Sequence, residues 1–557
     1  MVIVEAKDTV DIPAIDVPTY VFTAGTEDSR SIPQYFDADL PSRNFSVKEA
    51  ETCAKQFAKG LQIRGLKPNE KVLLYSPNDL YFPVLFWGVL AASCVFTGIT
   101  GAALPSELAY QVKNSEARLV VAAPDKLEHA IKGAAQAGLP KASVVAFANT
   151  PEDEALARSH GVLSWRDLWV PEDDIKDFHW RTFNTKDEAM NTTAVINYSS
   201  GHYNLVANNV QSFWKHMKVG TTKAGKERAQ RLEENGHRWL ANIPMYHAFG
   251  QTQFCMLAPL TGAKVYVMRQ YTMEKYMLYN DIYRITRMTS VPTIMVMIAK
   301  NKRSPLYNWN AIEDIICGSS PLSQDTKDDV QKLLRPGFVV RQGYGMTECT
   351  TAATNWEPDE HDDEGNSIGR LYPNMSGKVR AVEDRDFSHL GIKHEIGELM
   401  WSGPNIMKGY YKNRKATDDT IVYEDGKRWL CSGDIGYCDE KGRWYIVDRL
   451  KDLIKVKGLQ VAPAEIEGVL LEREDVQDAA VVGHKKNDGY EYPRAFIVRK
   501  NDTLTADEII KHVQSKLSKH KWLEGGVIFM DELPRNPSGK ILRRKLQESH
   551  SSGQTKL

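Results

Sequence analysis

The chain divides into a large and a small part at the stretch Asp448-Arg449-Leu450-Lys451-Asp452-Leu453-Ile454-Lys455-Val456-Lys457-Gly458. Directly before it, residues 442–447 form an apolar run that is typical of a buried strand. After it, the pattern predicts helices at 464–472 and 506–517 and strands at 479–483 and 492–499. These elements would form a compact α+β unit of about 105 residues, which is an ordinary size for a domain.

In the longer N-terminal part, apolar runs alternate with helical patterns. Strands are predicted at 71–76, 93–97, 117–122, 142–147 and 264–268. Such alternation favours parallel sheets flanked by helices. Because 557 residues are too many for one hydrophobic core, we expect an α/β protein with two domains, residues 1–448 and 449–557.

One stretch in the N-terminal part could be mistaken for a membrane span. Residues 80–99 carry no charge and are long enough to cross a bilayer. The stronger interpretation is a core helix followed by a strand, with Asn78 capping the helix and Pro83 in its first turn. We therefore expect no membrane span.

Composition excludes several classes of partner. The formal net charge is −1, so there is no electrostatic case for nucleic acid or an anionic membrane as the main partner. The seven cysteines are scattered without a CxxC pair, which argues against a zinc site or a disulfide scaffold and fits a reducing compartment. The N-terminus lacks the basic and apolar regions of a signal peptide.

Five further short motifs follow one another in a fixed order around the dividing stretch. They are Gln342-Gly343-Tyr344-Gly345-Met346-Thr347-Glu348, Gly397-Glu398-Leu399, Gly409-Tyr410-Tyr411, Ser432-Gly433-Asp434 and Asn536-Pro537-Ser538-Gly539-Lys540. Each alone is a weak signal. Together they offer what a nucleotide site needs: glycines for close backbone approach, carboxylates for a metal ion and for ribose hydroxyls, and lysines for phosphate charge.

This ordered set resembles the adenylate-forming (AMP-binding) enzymes, which include acyl-CoA ligases, luciferases and the adenylation domains of peptide synthetases. The resemblance is greatest to 4-coumarate–CoA ligases and their fungal relatives, and it spans residues 46–546. It implies a large N-terminal domain of parallel sheets plus a distorted barrel, and a small, mobile C-terminal lid that swings about Lys451. It also implies ATP, Mg²⁺ and CoA as cofactors and a small carboxylic acid as substrate.

The resemblance also assigns roles to individual residues. Thr347 would bind the α-phosphate, Glu348 would hold Mg²⁺, and Lys540 would neutralise charge on the reacting phosphorus. The ribose would be bound by Asp434, with Arg449 beside it. His247, in Pro244-Met245-Tyr246-His247-Ala248-Phe249, would lie beside the acyl group and the adenylate. The remaining nucleotide or CoA contacts would come from Ser199, Ser200, Gly201, Ser319, Ser320, Gln342, Gly343, Tyr344, Gly345, Lys451, Lys455, Lys457, Gly458 and Gln460.

Several of these residues have ordinary structural explanations. Each motif could have an ordinary structural role instead: a Gly-rich turn, an aspartate in a β-turn, a surface ion pair of Arg449, or a buried histidine whose hydrogen bonds are satisfied. The apolar residues proposed to line the acyl pocket could equally be plain core; they are Phe249, Val291, Pro292, Gly343 and Met346.

The chain departs from the family pattern at the phosphate loop. Tyr198-Ser199-Ser200-Gly201 is followed at once by His202-Tyr203-Asn204, so about ten residues that would include a glycine-rich nest and its lysine are absent. Three explanations stay open: an unresolved segment omitted from the numbering, a splice or gene-model variant, and a true deletion that weakens ATP binding. A clean excision with intact flanks favours the first two.

The function that the resemblance implies is an ATP-dependent carboxylic acid–CoA ligase that acts through an acyl-adenylate on an aryl or medium-chain acid. The alternatives are a pseudoenzyme that binds nucleotide or CoA without turnover, and a luciferase-like or carrier-loading enzyme. The last three residues, Thr555-Lys556-Leu557, resemble the Ser-Lys-Leu peroxisomal address. A peroxisomal location with its import receptor is therefore expected, with the cytoplasm as the alternative; the oligomeric state does not follow from the sequence.

Overall fold

The computed structural model covers all 557 residues of the sequence. The structure describes the chain except for residues 1, 200–201, 208–222, 319–321, 357–365, 383–386, 388–391, 457–458, 487–489, 536–540 and 550–557. Side chains are also left undescribed at 199, 202–207, 223–225, 455, 459–460 and 549.

The described strands occur in the following chain order. They are β1 (Ile3–Glu5), β2 (Pro33–Asp37), β3 (Asn44–Ser46), β4 (Lys71–Tyr75), β5 (Val95–Ile99), β6 (Ala117–Ala122), β7 (Val144–Ala146), β8 (Leu163–Ser164), β9 (Thr193–Ser199), β10 (His202–Ala207), β11 (Arg238–Ala241), β12 (Lys264–Val267), β13 (Arg287–Ser290), β14 (Asp314–Cys317), β15 (Thr354–Asn355), β16 (Arg370–Leu371), β17 (Ser376–Arg380), β18 (Gly397–Ser402), β19 (Ile421–Glu424), β20 (Lys427–Cys438), β21 (Trp444–Arg449), β22 (Ile454–Val456), β23 (Leu459–Val461), β24 (Val476–Lys485), β25 (Glu491–Arg499) and β26 (Gly526–Phe529).

The described α-helices alternate with these strands. They are α1 (Val17–Phe22), α2 (Glu27–Ser31), α3 (Val47–Ile63), α4 (Phe82–Ala91), α5 (Pro105–Ser115), α6 (Leu127–Gln136), α7 (Pro151–Ser159), α8 (Lys186–Asn191), α9 (Lys223–Asn235), α10 (Ala248–Gly250), α11 (Ala258–Thr261), α12 (Met273–Ile282), α13 (Pro292–Lys300), α14 (Gln324–Gln331), α15 (Arg414–Thr420), α16 (Pro463–Leu471), α17 (Ala506–Lys516) and α18 (Arg543–Ser549). A π-helix, Gln251–Leu257, joins α10 to α11.

The first sheet of the N-terminal part has the strand order β10-β9-β5-β4-β6-β7-β8. Its pairs are parallel except for β9 with β10. The central strand β4 buries Val72, Leu73 and Leu74 completely, as expected for a strand covered on both faces. Helix α3 begins at a capping box in which Ser46 and Glu49 exchange hydrogen bonds, and it packs against α4.

A second parallel sheet has the order β14-β13-β11-β12-β2-β3, with β2 and β3 antiparallel. The carboxyl ends of its parallel strands lie at one edge, where ligands bind in open α/β sheets. A third, antiparallel sheet has the order β1-β17-β18-β20-β19, with β21 also paired to β20. This architecture confirms the predicted α/β fold with parallel sheets and a distorted, barrel-like third sheet.

The C-terminal part contains the sheet β24-β25-β26 and the hairpin β22-β23, with α16 packed on β24 and α17 packed on α16. The dividing point predicted at Asp448 lies near the end of β21. One contact across it joins the Lys300 ammonium to the Val476 carbonyl oxygen at 2.8 Å. The division at 448–449 and the hinge at Lys451 stay predictions.

One local expectation differs from the structure. Helix α4 begins at Phe82, and Asn78 does not cap it. Asn78 instead donates to the carbonyl oxygens of Ala241 (3.2 Å) and Ile243 (2.9 Å) and accepts from the backbone N–H of Met245 (2.8 Å). The uncharged stretch 80–99 is divided between α4 and β5, and among the described residues no helix has the length and apolar character needed to cross a membrane.

Candidate active site

A cavity of about 1070 Å³ opens between the second parallel sheet and the antiparallel sheet. One wall is formed by segments that follow the carboxyl ends of β11, β13 and β14, which contribute Asn242, Val291 and Gly318. The opposite wall carries Asp434 from β20 and Arg449 from β21. The cavity is large enough to hold a nucleotide together with a small second substrate.

The loop 343–348 crosses the cavity between these walls. A Cβ added at Gly345 would lie 1.6 Å from the Thr351 carbonyl oxygen, so only glycine fits there. The chain then turns sharply, with positive φ at Thr350 (51°) and Thr351 (83°). The strained turn brings the backbone of the loop to the cavity surface, where a planar base or a phosphate could approach it.

Asp434 is the most enclosed acidic group of the cavity, with 2% of its surface exposed. The Tyr344 hydroxyl donates to one of its carboxylate oxygens at 2.5 Å. Arg449 lies 3.1 Å from the other oxygen, and the pairing of β20 with β21 places these two residues directly opposite each other. Burial, followed by the charge of Asp434, raises the pKa of Tyr344 well above its ordinary value, so the phenol stays a donor.

A second ion pair supports the turn that presents Asp434. Gly433 has φ +71°, and its N–H donates to Glu398 at 3.0 Å. Glu398 is paired with Arg380 at 2.5 Å. The motif Gly397-Glu398-Leu399 therefore positions the Ser432-Gly433-Asp434 turn through a side-chain contact.

Glu348 lies in the cavity wall with 8% of its surface exposed. The Tyr410 hydroxyl donates to its Oε1 at 3.1 Å, and the Met407 N–H donates to its backbone carbonyl at 2.8 Å. Among the described residues no group of three or more His, Cys, Asp or Glu side chains could hold a metal ion. Glu348 could serve as a carboxylate ligand of Mg²⁺, an ion that completes its shell with water and phosphate oxygens.

His247 borders the cavity just before α10. Burial lowers its pKa to about 4, so the imidazole is neutral at physiological pH. Its Nε2 atom has no hydrogen-bond partner within the described part of the chain. The Tyr246 ring lies against it, with ring centroids 4.6 Å apart. The imidazole is therefore a neutral group in the cavity wall, and its Nε2 atom is itself buried.

The phosphate-loop region is a short hairpin. Ser199 pairs with His202 in the ladder of β9 and β10, so two residues lie between the strands. The structure covers every residue of the sequence, so the expected segment is absent from the sequence itself, and the explanation of an unresolved stretch is wrong. The Gly201–His202 bond lies outside the described residues. A splice or gene-model variant and a true deletion stay open as explanations of the missing segment.

Most of the predicted site residues that are described line this one cavity. They are His247, Gly343, Tyr344, Gly345, Thr347, Glu348, Asp434, Arg449 and Lys451. Of the predicted pocket lining, Phe249, Val291, Gly343 and Met346 are part of the wall, whereas Pro292 is not among the lining residues. Gln342 is buried, with 7% exposed, and sits behind the wall in a bridge to Cys317.

Other predicted residues are not described in enough detail to be placed. Ser200, Gly201, Ser319, Ser320, Lys457, Gly458 and Lys540 lie outside the described residues. For Ser199, Lys455 and Gln460 only the backbone is described: Ser199 ends β9, and Lys455 pairs with Gln460 between β22 and β23.

Sequence reasoning missed three contributors to the cavity. Tyr410, which binds Glu348, and Glu398, which binds Gly433, belong to quoted motifs but were given no role. For Asn242, the only sequence feature that could have indicated a place in the cavity is its position directly after an apolar strand.

Comparisons with known proteins agree with this geometry. A family model described as AMP-binding enzyme matches residues 30–411, and one described as AMP-binding enzyme C-terminal domain matches residues 465–540. The chain is 32% identical to a phenylacetyl-CoA ligase of Aspergillus niger, over 98% of this chain and 98% of that protein. It is 29% identical to the peroxisomal OPC-8:0-CoA ligase 1 of Arabidopsis thaliana, over 96% of this chain and 93% of that protein.

A solved structure shows the same fold. The anthranilate CoA ligase in complex with anthranoyl-AMP superimposes with a TM-score of 0.79 at 19% identity, over 97% of this chain and 98% of that one. At this identity the likeness establishes the architecture and no more.

Proposed function

The chain belongs to the AMP-binding enzyme family, and from this premise we propose that it is an ATP-dependent carboxylic acid–CoA ligase that forms an acyl-adenylate. The observation that carries the proposal is the arrangement of Tyr344, Asp434 and Arg449 in the cavity wall. A buried carboxylate held from two sides can accept hydrogen bonds from both ribose hydroxyls of a nucleotide.

The reaction has two steps. The carboxylate of the acid attacks the α-phosphorus of ATP, the bond to the bridging oxygen breaks, and pyrophosphate leaves. The thiolate of CoA then attacks the acyl carbonyl, and AMP leaves with the electrons of the acyl–oxygen bond. Asp434 and Arg449 would fix the ribose in both steps, and Thr347 would bind the α-phosphate. Mg²⁺, held in part by Glu348, would offset phosphate charge.

The neutral imidazole of His247 would face the acid. A neutral group avoids an ion pair with the substrate carboxylate and leaves that carboxylate free to attack. Lys540 would then supply the positive charge for adenylation, and the segment with Lys455, Lys457, Gly458 and Gln460 would approach CoA after the lid turns about Lys451. These lid roles stay proposals.

The substrate is proposed to be an aryl or arylalkyl acid. The relative from Aspergillus niger is named for phenylacetate, and apolar side chains such as Phe249, Val291 and Ile294 line part of the cavity. A panel of aryl and medium-chain acids, scored by acid-dependent AMP release with ATP and CoA, tests this. No AMP release with any acid, from the chain as given or with a restored phosphate loop, would contradict the proposed activity.

A second candidate is favoured by the β9–β10 hairpin. Because two residues join the strands, the loop that would hold the outer phosphates through backbone N–H groups is absent. We infer that this chain adenylates its acid poorly while keeping its AMP site. Pyrophosphate exchange should be much slower for the chain as given than for a version carrying the ten-residue segment; equal rates would overturn this second candidate.

A luciferase-like oxidation or the loading of a carrier protein would also begin with an adenylate. CoA-dependent release of AMP together with thioester formation distinguishes the ligase from both. The proposed location is supported by one relative that is named peroxisomal, and by the resemblance of Thr555-Lys556-Leu557 to the Ser-Lys-Leu address. We propose import into peroxisomes, with the cytoplasm as the alternative; fusing a fluorescent protein to the N-terminus and deleting the last three residues tests it.

A further inference from the structure

Glu348 is held at its backbone and at its side chain by one segment of the antiparallel sheet's connections, residues 405–410, which follows β18. The Met407 N–H donates to the backbone carbonyl oxygen of Glu348 at 2.8 Å. The Tyr410 hydroxyl donates to the carboxylate oxygen Oε1 at 3.1 Å, across 62 positions of sequence. Two contacts from one segment therefore fix where this carboxylate stands in the cavity wall.

The same segment also supports the turn that follows Glu348. The side-chain nitrogen of Asn405 donates to the carbonyl oxygens of Cys349 (3.1 Å) and Ala352 (2.6 Å). The carbonyl oxygen of Asn405 accepts from the Thr350 hydroxyl at 2.8 Å. Thr350 has φ +51°, a conformation that a β-branched residue keeps only where its surroundings enforce it. The backbone at Glu348 is thus held on both sides, and rotation of the side chain is the freedom that remains.

The two carboxylate oxygens of Glu348 have different surroundings. Oε1 accepts from Tyr410, whereas no described residue donates to Oε2. Oε2 is also not one of the fully enclosed polar atoms without a partner. Because Glu348 is part of the cavity wall, Oε2 keeps accessible surface that a ligand in the cavity can reach.

Tyr410 is itself fixed and stays protonated. Its backbone N–H donates to the Thr417 hydroxyl oxygen in α15 at 2.9 Å. Burial, followed by the charge of Glu348, raises the pKa of Tyr410 well above its ordinary value, so the phenol remains a donor. In metal sites, carboxylate ligands are commonly held by an outer hydrogen bond of this kind, which fixes their orientation.

We propose that Tyr410 is a positioning residue for metal binding: its hydroxyl holds Oε1 of Glu348, so that Oε2 is presented to the Mg²⁺ ion that accompanies a nucleotide phosphate. The inference rests on the proposed function, because it deepens the nucleotide part of that site. Without the hydroxyl, the Glu348 side chain would have to be ordered when the metal binds. Loss of an outer hydrogen bond to a metal ligand lowers metal affinity by roughly tenfold to a hundredfold.

The test measures binding and needs no turnover. Dissociation constants of α,β-methylene-ATP, which cannot release pyrophosphate, are measured by calorimetry with saturating Mg²⁺ and with a chelator. The constant without metal divided by the constant with metal is the metal ratio. It reports how much more tightly the complex holds Mg²⁺ than the free nucleotide does, because the two routes to the ternary complex close a cycle.

The proteins are the full chain, Tyr410→Phe, Glu348→Gln and the double variant. Tyr411→Phe is the matched control, because it removes the same hydroxyl from the neighbouring tyrosine. That hydroxyl donates to the Glu116 carboxylate at 3.0 Å, and neither residue is part of the cavity wall.

We expect the metal ratio of Tyr410→Phe to be roughly tenfold to a hundredfold lower than that of the unmodified chain. The metal-free constant should not change, because phenylalanine keeps the ring and its packing. Tyr411→Phe should keep the ratio. Glu348→Gln should lower it at least as far as Tyr410→Phe, and the double variant should be no lower than Glu348→Gln alone, since Tyr410 acts through Glu348.

An unchanged metal ratio in Tyr410→Phe would overturn the inference. An equal loss of affinity with and without metal would make the tyrosine structural, and a double variant below Glu348→Gln would show that Tyr410 acts by another route. If the full chain bound AMP but did not bind the analogue with Mg²⁺, or if Glu348→Gln left the ratio unchanged, the inference would fail while the proposed function stood. If the full chain bound neither AMP nor the analogue, the proposed function would fail with it.

Discussion

The Tyr344 hydroxyl donates to the Asp434 carboxylate at 2.5 Å, although 90 positions separate the two residues in the sequence. Arg449 holds the other carboxylate oxygen at 3.1 Å. The contact joins the Gly-rich loop to the antiparallel sheet across the cavity. It brings motifs that are far apart in the chain together at one cavity, where we propose that they form a nucleotide site.

Replacing Asp434 by Asn should weaken AMP binding roughly tenfold to a hundredfold, because a hydrogen bond to a charged group is worth about 1.5–3 kcal/mol. Calorimetry with AMP measures this. Tyr344→Phe is the matched control: it removes one hydroxyl that touches the carboxylate, and its effect should be smaller. An Asp434→Asn variant that binds AMP as well as the unmodified chain would contradict the assignment of the ribose site.

Gly345→Ala should abolish AMP binding or prevent folding. The added Cβ would lie 1.6 Å from the Thr351 carbonyl oxygen, so the loop 343–348 would have to move. Gly468→Ala is the control, because a Cβ at this position in α16 meets nothing within 4 Å. We expect it to stabilise the protein by about 0.5–1 kcal/mol, as alanine does in a helix. Urea unfolding measures both variants; equal behaviour would contradict the close packing of the loop.

His247 should make the protein less stable in mild acid. Burial lowers its pKa from 6.5 to about 4, so between these values the unfolded chain binds a proton that the folded chain does not. The contribution of the neutral imidazole to the free energy of unfolding is complete above pH 6.5. It falls by about 3 kcal/mol as the pH falls towards 4. Urea titrations from pH 4 to 8 should show a flatter dependence for His247→Gln; an identical dependence would show that the imidazole is not buried in neutral form.

Asp448, near the end of β21, should make the protein less stable as the pH rises. Burial raises its pKa from 3.8 to about 7, with Glu467 adding to the shift and the N–H groups of Arg449 and Ala464, together with Arg543, opposing it. The folded state keeps a proton that the unfolded chain has lost, so stability falls as the pH rises from about 4 to 7, by about 4 kcal/mol. Asp448→Asn should remove this loss in urea titrations. If the variant kept it, the carboxyl would not be buried as the structure has it.

Much of the fold follows from local pattern. The run at 117–122 is a strand with those bounds, and the helices predicted in the C-terminal part agree to within one residue at each end. Such elements are apolar and regular, so periodicity alone defines them. The resemblance also indicated Asp434, Arg449 and Glu348, and the structure brings all three to one cavity.

The rest depends on contacts between distant segments. Asn78 stands where a helix cap is expected, but its side chain binds the backbone of residues 241–245, which lie 163 to 167 positions away. This backbone is buried, and its carbonyl and N–H groups must be hydrogen-bonded there. The bonds from Tyr410 to Glu348 and from Gly433 to Glu398 likewise join parts of the chain that no local pattern relates.

The most direct test of the central claim supplies the intermediate itself. Phenylacetyl-adenylate and CoA are mixed with the chain as given, with the Asp434→Asn variant, and with buffer alone, and phenylacetyl-CoA and AMP are quantified over time. With the unmodified chain, we predict that thioester and AMP form in equal amounts and faster than in buffer. With the Asp434→Asn variant, their formation should be markedly slower than with the unmodified chain. Formation at the buffer rate by the unmodified chain, and also by a version with the phosphate loop restored, would contradict the account.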